Sequence, residues 1–143
     1  MTNYKLINNI TGWVVFAVAA VVYLLTIEPT ASFWDCGEFI TSAYKLEVGH
    51  PPGAPFFMLV GNLFTQFAGD PSQVALMVNS MSALMSAFTI LFLFWTITHL
   101  TRKLLLSSGD RQLNNGQVIA VIGSGLVGSL KYTFSDTFWF SAV

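Results

Sequence analysis

The chain has 143 residues, of which 54% are hydrophobic and 9% charged, and its formal net charge is -1. Typical globular chains are about 25% charged, so this balance excludes an ordinary soluble domain and leaves no basic footprint for nucleic acid. The single cysteine, Cys36, excludes an internal disulfide and any cysteine-based metal cluster within one chain.

The first apolar run is the N-terminal one. No charged residue lies between Lys5 and Glu28, and a helix over residues 10–28 covers most of a hydrocarbon core roughly 30 Å thick. A cleaved signal peptide has a shorter apolar region of about 7–15 residues and a small-x-small cleavage site. Glu28-Pro29-Thr30-Ala31-Ser32 is a poor one, so a retained transmembrane helix is expected.

Residues 29–70 form the polar interlude. A short helix is expected over 33–48, with Ser32 as N-cap and Asp35 at the third helical position. Its periodicity puts Asp35, Glu38, Ser42 and Lys45 on one face, with Phe33, Cys36, Ile40 and Tyr44 as an opposing apolar stripe. Gly49 is the expected helix stop, and Pro51 pushes His50 out of helical conformation. Pro51, Pro52 and Gly53 then make a stiff, loop-shaping turn. Pro55 opens a second short helix over 55–67, with Phe56, Val60, Leu63 and Phe67 on one face. That segment is too short to span and suits the membrane interface or a re-entrant loop.

Two further apolar runs follow. The second predicts a helix over 72–101, opened by Pro71 and closed by Arg102 and Lys103. Its Met77, Met81, Met85 and Ser82, Ser86 repeats read as helix packing, and His99 as an interfacial residue. The third predicts a helix over 114–133. Within it, Gly123-Ser124-Gly125-Leu126-Val127-Gly128 mimics the Gly-x-Gly-x-x-Gly dinucleotide fingerprint. A βαβ unit of about 30 residues and a later acidic residue are required for that reading, and the remaining sequence has no room for them. Close packing of Gly123, Gly125 and Gly128 against a neighbouring helix is expected instead.

The fold class that emerges is all-α and integral to the membrane, with about three transmembrane helices and two short interfacial helices in the first external loop. Lys5, Arg102, Lys103 and Arg111 share one side, which the positive-inside rule makes cytoplasmic. The segment from Glu28 to Asp70, with five acidic residues and one lysine, then faces outward, placing residues 29–70 outside. Phe134, Phe138, Trp139 and Phe140 are placed as an aromatic belt at the outer end of the third span.

Trp34-Asp35-Cys36-Gly37-Glu38-Phe39, followed by Tyr44-Lys45-Leu46-Glu47-Val48-Gly49-His50-Pro51-Pro52-Gly53-Ala54-Pro55, closely resembles a family of bacterial multi-span membrane proteins. That family is similar to the eukaryotic endoplasmic-reticulum protein O-mannosyltransferases, within the type-C glycosyltransferase superfamily. The Asp-x-Gly-Glu and His-Pro-Pro-Gly elements carry the resemblance, and Phe134-Ser135-Asp136-Thr137-Phe138-Trp139 looks similar as well. It spans essentially all 143 residues but only the start of the family's usual length. The chain is therefore expected to be the N-terminal portion of a multi-span domain, inactive alone.

The resemblance implies transfer of a sugar, mannose being one candidate, from a polyprenyl-phosphate donor to an acceptor hydroxyl. A protein Ser/Thr or a glycan would supply that hydroxyl, on the periplasmic side of a bacterial inner membrane. Asp35, or Asp35 with Glu38, matches the essential acid of the first external loop. His50, Lys45 and Trp34 are the substrate-binding candidates. No cofactor is assigned; a divalent metal is one source of the positive charge a departing phosphate needs, and His50 or Lys45 is another. The nearest bland readings are an acidic N3 residue in a helix capped by Ser32 for Asp35, and solvated helix faces for Glu38, Lys45 and Glu47. A transport or assembly subunit, with its outer carboxylates binding a cation or partner, is the rival class.

Overall fold

A computed structural model describes residues 3–32, 34–51, 53–106 and 112–143; Phe33, Pro52 and Arg111, used above, lie outside them. All regular structure among the described residues is helical: α1 (Tyr4–Leu25), α2 (Cys36–Lys45), α3 (Pro55–Thr65), a 3₁₀ turn (Pro71–Gln73), α4 (Val74–Leu106), α5 (Asn115–Thr133) and α6 (Asp136–Ala142).

The first helix begins before residue 10 because Asn3 starts it: its Oδ1 accepts the Leu6 amide at 3.4 Å, one of the otherwise unpaired N–H groups of a first turn. It stops at Leu25 rather than 28. The next residues are held in a different conformation, with Glu28 Oε1 accepting the Thr30 hydroxyl at 2.7 Å and Asn79 Nδ2 donating to the Glu28 and Thr30 carbonyls at 2.8 and 3.0 Å. Asp70 caps the 3₁₀ turn through the Ser72 amide, and α4 then runs past the expected end at 101 to Leu106. Lys103 in its last turn complements the helix dipole.

Among the described residues, two helices are long and apolar enough to cross a membrane: α1, and α4 together with its 3₁₀ turn. The third expected span is different. Although Asn114 and Gln117 form a reciprocal capping box that starts α5 as expected, α5 reaches that criterion only in combination with α6, and the pair is bent by 66°. Asn115, Gly116, Gln117, Ser124 and Ser129 dilute its apolar character. The bend falls where the Ser135 amide and hydroxyl both donate to the Tyr132 carbonyl, at 3.1 and 2.8 Å. The expected aromatic belt is thus a folded cluster at this bend, with Tyr132–Phe138 and Phe134–Trp139 ring centroids 4.5 and 6.5 Å apart.

The chain divides into two compact units, one from residues 1–22 and 86–141 and the other from residues 23–85 and 142–143. In the first, α1 and α4 run antiparallel: Trp13 meets Trp95 edge-on and Phe16 meets Phe88, with centroids 6.1 and 4.6 Å apart. The helices α4 and α5 also run antiparallel, joined by the Thr101–Ser124 hydroxyl contact at 3.2 Å. Two of the three glycines expected at this interface are there. A Cβ on Gly125 would lie 2.5 Å from Thr98 Cγ2, and one on Gly128 2.6 Å from Ile97 Cδ1. Gly123 is not, since a Cβ there meets nothing within 4 Å.

The second unit is the α2–α3 hairpin on the first turns of α4, around Ile40, Ala43, Met58, Val74, Val78 and Met81. Its contact point is Gly61, where a Cβ would come within 2.9 Å of Ala43 Cβ. Both expected apolar faces are rotated. In α2 the packed residues are Phe39, Ile40 and Ala43, with Tyr44 exposed; in α3 they are Phe57, Met58, Val60 and Phe64, while Phe56, Leu63 and Phe67 point outward. A helix as apolar all round as Pro55–Thr65 offers no single stripe from which to choose its face.

Candidate functional site

The candidate site grows from the start of α2 and the turn that follows it. Asp35 occupies the N-cap position itself, and its side chain makes no capping hydrogen bond. This corrects the expected arrangement: Ser32 is not the cap, and its hydroxyl lies 3.0 Å from Cys36 Sγ. Trp34, immediately before, sits in the left-handed region at φ 65 and is 93% exposed. A bulky residue held there costs on the order of 1 kcal/mol, a strain that clusters at functional sites.

The far end of α2 is set by a residue the sequence did not mark. Leu46, not Gly49, takes the left-handed stop at φ 54, and the Glu47 amide closes onto the Ser42 carbonyl at 2.9 Å. Asn62 of α3 makes this possible, donating Nδ2 to the Ala43 and Tyr44 carbonyls at 3.0 Å each. Those are orphan acceptors of a helix C-terminus. The role of Gly49 is steric, since a Cβ there would stand 3.1 Å from Glu38 Oε1. It leaves room for the next residue to fold back over Glu38.

That next residue is His50. Its amide donates to Glu38 Oε1 at 2.7 Å, and its Nδ1 lies 2.9 Å from Glu38 Oε2. A carboxylate only accepts, so Nδ1 carries the proton in this bond. The imidazole also stands edge-on to Phe39, with centroids 6.3 Å apart. Its Nε2 faces Asp35 Oδ2 at 3.9 Å. The turn is closed by the Gly53 amide donating to the His50 carbonyl at 2.9 Å, with Gly53 at φ 73, where glycine carries no side-chain penalty. Pro51 stiffens that turn.

The structure therefore brings Asp35, Glu38 and His50 together, with Trp34 beside them. It does not bring Lys45, which ends α2 seven residues and roughly 10 Å of helix rise away from Glu38, exposed. Among the described residues, no group of three or more His, Cys, Asp or Glu side chains is arranged to hold a metal ion. The residues missed by sequence reasoning are Asn62, Phe39 and Asn79; an asparagine inside an otherwise apolar run was the available signal for two of them.

The electrostatics follow from the geometry. The two hydrogen bonds from His50 hold the Glu38 carboxyl below its ordinary value, the backbone one foremost. The bond to Glu38, then its charge, raises His50 above the usual histidine range, with a smaller contribution from Asp35. The lowered Glu38 favours the folded loop fully above 4.5 and loses that effect as pH falls through its folded pKa. The raised His50 favours it fully below 6.5 and loses it as pH rises through its folded pKa. The clasp is thus strongest between these two ordinary values. An NMR titration of the His50 ring should show a midpoint above 6.5, and Glu38→Gln should move it back down. An unchanged midpoint would show that the clasp does not form in solution.

With this geometry in view, comparison with known proteins is informative. Residues 35–143 match the family model described as the Protein O-mannosyl-transferase TMEM260 N-terminal domain. The chain belongs to this family. The match to the TMEM260 N-terminal domain opens on Asp35 and includes Glu38, His50 and the turn to Gly53; Trp34 and α1 precede it. Protein O-mannosyl-transferase TMEM260 of Mus musculus is 40% identical over 87 residues, 61% of this chain and 12% of that protein. Protein O-mannosyl-transferase tmem260 of Dictyostelium discoideum is 30% identical over 83 residues, 57% of this chain and 10% of that protein. The matched segment is thus about a tenth of the length of these curated relatives. No solved structure matches the chain.

Proposed function

We propose that this chain is the N-terminal part of a membrane glycosyltransferase that moves mannose from a polyprenyl-phosphate donor to a Ser or Thr hydroxyl of a protein. The type-C superfamily, a bacterial inner membrane and a periplasmic site belong to the same proposal. Family membership and the relatives' names support the reaction class. The observation that carries the residue assignment is the meeting of Asp35 with a His50 clasped by Glu38.

In this reading Asp35 takes the acceptor proton as the hydroxyl oxygen bonds to the anomeric carbon. The bond from that carbon to the phosphate oxygen breaks, and its electron pair leaves with the phosphate. Attack and departure lie on opposite faces, with the attacking atom about 3–3.5 Å from the carbon. Asp35 and His50 are only 3.9 Å apart, too close to flank a sugar ring from both sides. His50 therefore serves the acceptor side, as a charged partner that orients Asp35, and Trp34 offers an exposed ring to the sugar. The cation for the departing phosphate comes from elsewhere: a residue further along the full-length protein, or a divalent ion carried by the donor.

Transfer of labelled mannose from polyprenyl phosphate to a protein acceptor, in membranes containing the full-length protein, tests the proposal. Absence of transfer with every lipid-linked donor would overturn it, and loss of transfer in EDTA would identify the ion. Topology has its own test after Cys36→Ser. A cysteine at Gly69 should react with an impermeant reagent in intact cells, and one at Gln112 should not. The reverse pattern would put the Asp35 site on the cytoplasmic side, where this reading fails.

A further inference from the structure

Where α1 begins and α4 ends, a cavity of about 550 Å³ opens between them, lined by Tyr4, Asn8 and Asn9 from α1 and by seven residues of α4, Phe92, Thr96, His99, Leu100 and Arg102 among them. Ligand pockets are typically about 300–1,000 Å³. The Arg102 guanidinium lies at its edge, 5.3 Å above the centre of the Tyr4 ring. That contact fixes its position and leaves its fork of N–H donors for another partner. Among the described residues no carboxylate pairs with Arg102, and none lines the cavity. Its neighbour Lys103 is exposed and lines nothing here, whereas Arg102 is half-buried. His99 adds a second potential donor to the wall.

The rest of the wall mixes the polar side chains of Asn8, Asn9 and Thr96 with apolar ones, and the cavity is open. Phe92 and Leu100 line it and are exposed, on a helix long and apolar enough to cross a membrane. An arginine at the end of such a helix, held over an aromatic ring with no carboxylate among the described residues beside it, has its N–H donors open to an anion. The ligand that fits has an anionic head and an apolar body lying along the helix. We infer that this cavity binds the headgroup of an anionic phospholipid, with Arg102 on the phosphate and the acyl chains along Phe92 and Leu100. The inference is independent of the Asp35 site and of the proposed transferase reaction.

The adjacent basic pair makes the test sharp. Delocalised attraction to an anionic surface is worth a similar amount, about fivefold in affinity, for either Arg102 or Lys103. A charge-assisted hydrogen bond in a formed site is worth about tenfold or more. Native mass spectrometry of the full-length protein, titrated with phosphatidylglycerol and with phosphatidylcholine, reads the difference. Phosphatidylglycerol should bind about tenfold or more tightly than phosphatidylcholine. Arg102→Ala should remove that preference and Lys103→Ala should keep it. Glycerol phosphate in excess should not compete, which separates a lipid from a free phosphate. If Arg102→Ala does not fold, Thr96→Trp fills the cavity without altering its charge and should give the same loss. Equal effects at Arg102 and Lys103, competition by glycerol phosphate, or no preference for the anionic lipid would each overturn the inference.

Discussion

Asp35→Asn in the full-length protein is expected to lower turnover by roughly 10²-fold or more, with expression and donor binding little changed. The substitution keeps size and an acceptor oxygen and removes only the ability to take a proton. A purely structural Asp35 would act as a helix cap, and exchanging Asp for Asn there costs well under about 1 kcal/mol. The structure weakens that alternative further, because the Asp35 side chain makes no capping bond. Glu38→Gln tests the neighbouring role. It leaves the proposed base in place and loosens the grip on the His50 amide and Nδ1, at 2.7 and 2.9 Å. A smaller loss is expected, weighted towards substrate affinity.

The same geometry contains a second candidate base. A His50 oriented by Glu38 through Nδ1, with Nε2 turned to the site, has the form of a carboxylate–imidazole dyad. The contacts that raise His50 keep its proton on to higher pH, and while protonated the imidazole cannot accept another. The pH profile decides. With Asp35 as base and His50 as its charged partner, activity should fall as pH rises through the His50 titration. With His50 as base, it should fall as pH drops through the same point. Wild-type turnover in Asp35→Asn would remove the assignment of Asp35 altogether.

What was legible in the sequence was whatever depends on neighbours along the chain. Uncharged runs mark α1 and α4 because length and apolarity alone decide whether a helix can cross a membrane. Pro55 opens α3 for an equally local reason, and α5 starts within one residue of the expected 114. Features that depend on distant partners were not legible. The α2 stop falls at Leu46 because Asn62, on another helix, covers the freed carbonyls. Helical spacing put Lys45 on the same face as Glu38, but the site forms at the opposite end of α2, where His50 arrives from twelve residues away. Spacing along a helix gives a face; it does not say at which end of that face a loop will land.

The glycines of α5 give the last expected result: Gly125→Leu should prevent folding or strongly destabilise the protein, whereas Gly123→Leu should be neutral or stabilising. A side chain at Gly125 has nowhere to go. Its first carbon would lie 2.5 Å from Thr98 Cγ2 and 2.8 and 2.9 Å from two Phe94 ring carbons, and Thr98 and Phe94 are themselves buried. Overpacking of this kind costs about 1–3 kcal/mol for added methylenes in a core that can shift, and more in one that cannot. At Gly123 the space is open, and a better helix former gains up to about 1 kcal/mol. Gly128→Leu falls between them, since only the flexible tip of Ile97 stands within 3 Å. A dinucleotide loop makes a different demand, because all three glycines of that fingerprint lie close to the phosphates or the adjoining strand. Thermal unfolding of the three variants in detergent, followed by helical signal, separates the readings. Equal damage at Gly123 and Gly125 would count against the α4–α5 interface. The graded order, Gly125 above Gly128 above Gly123, is what one packed helix face produces.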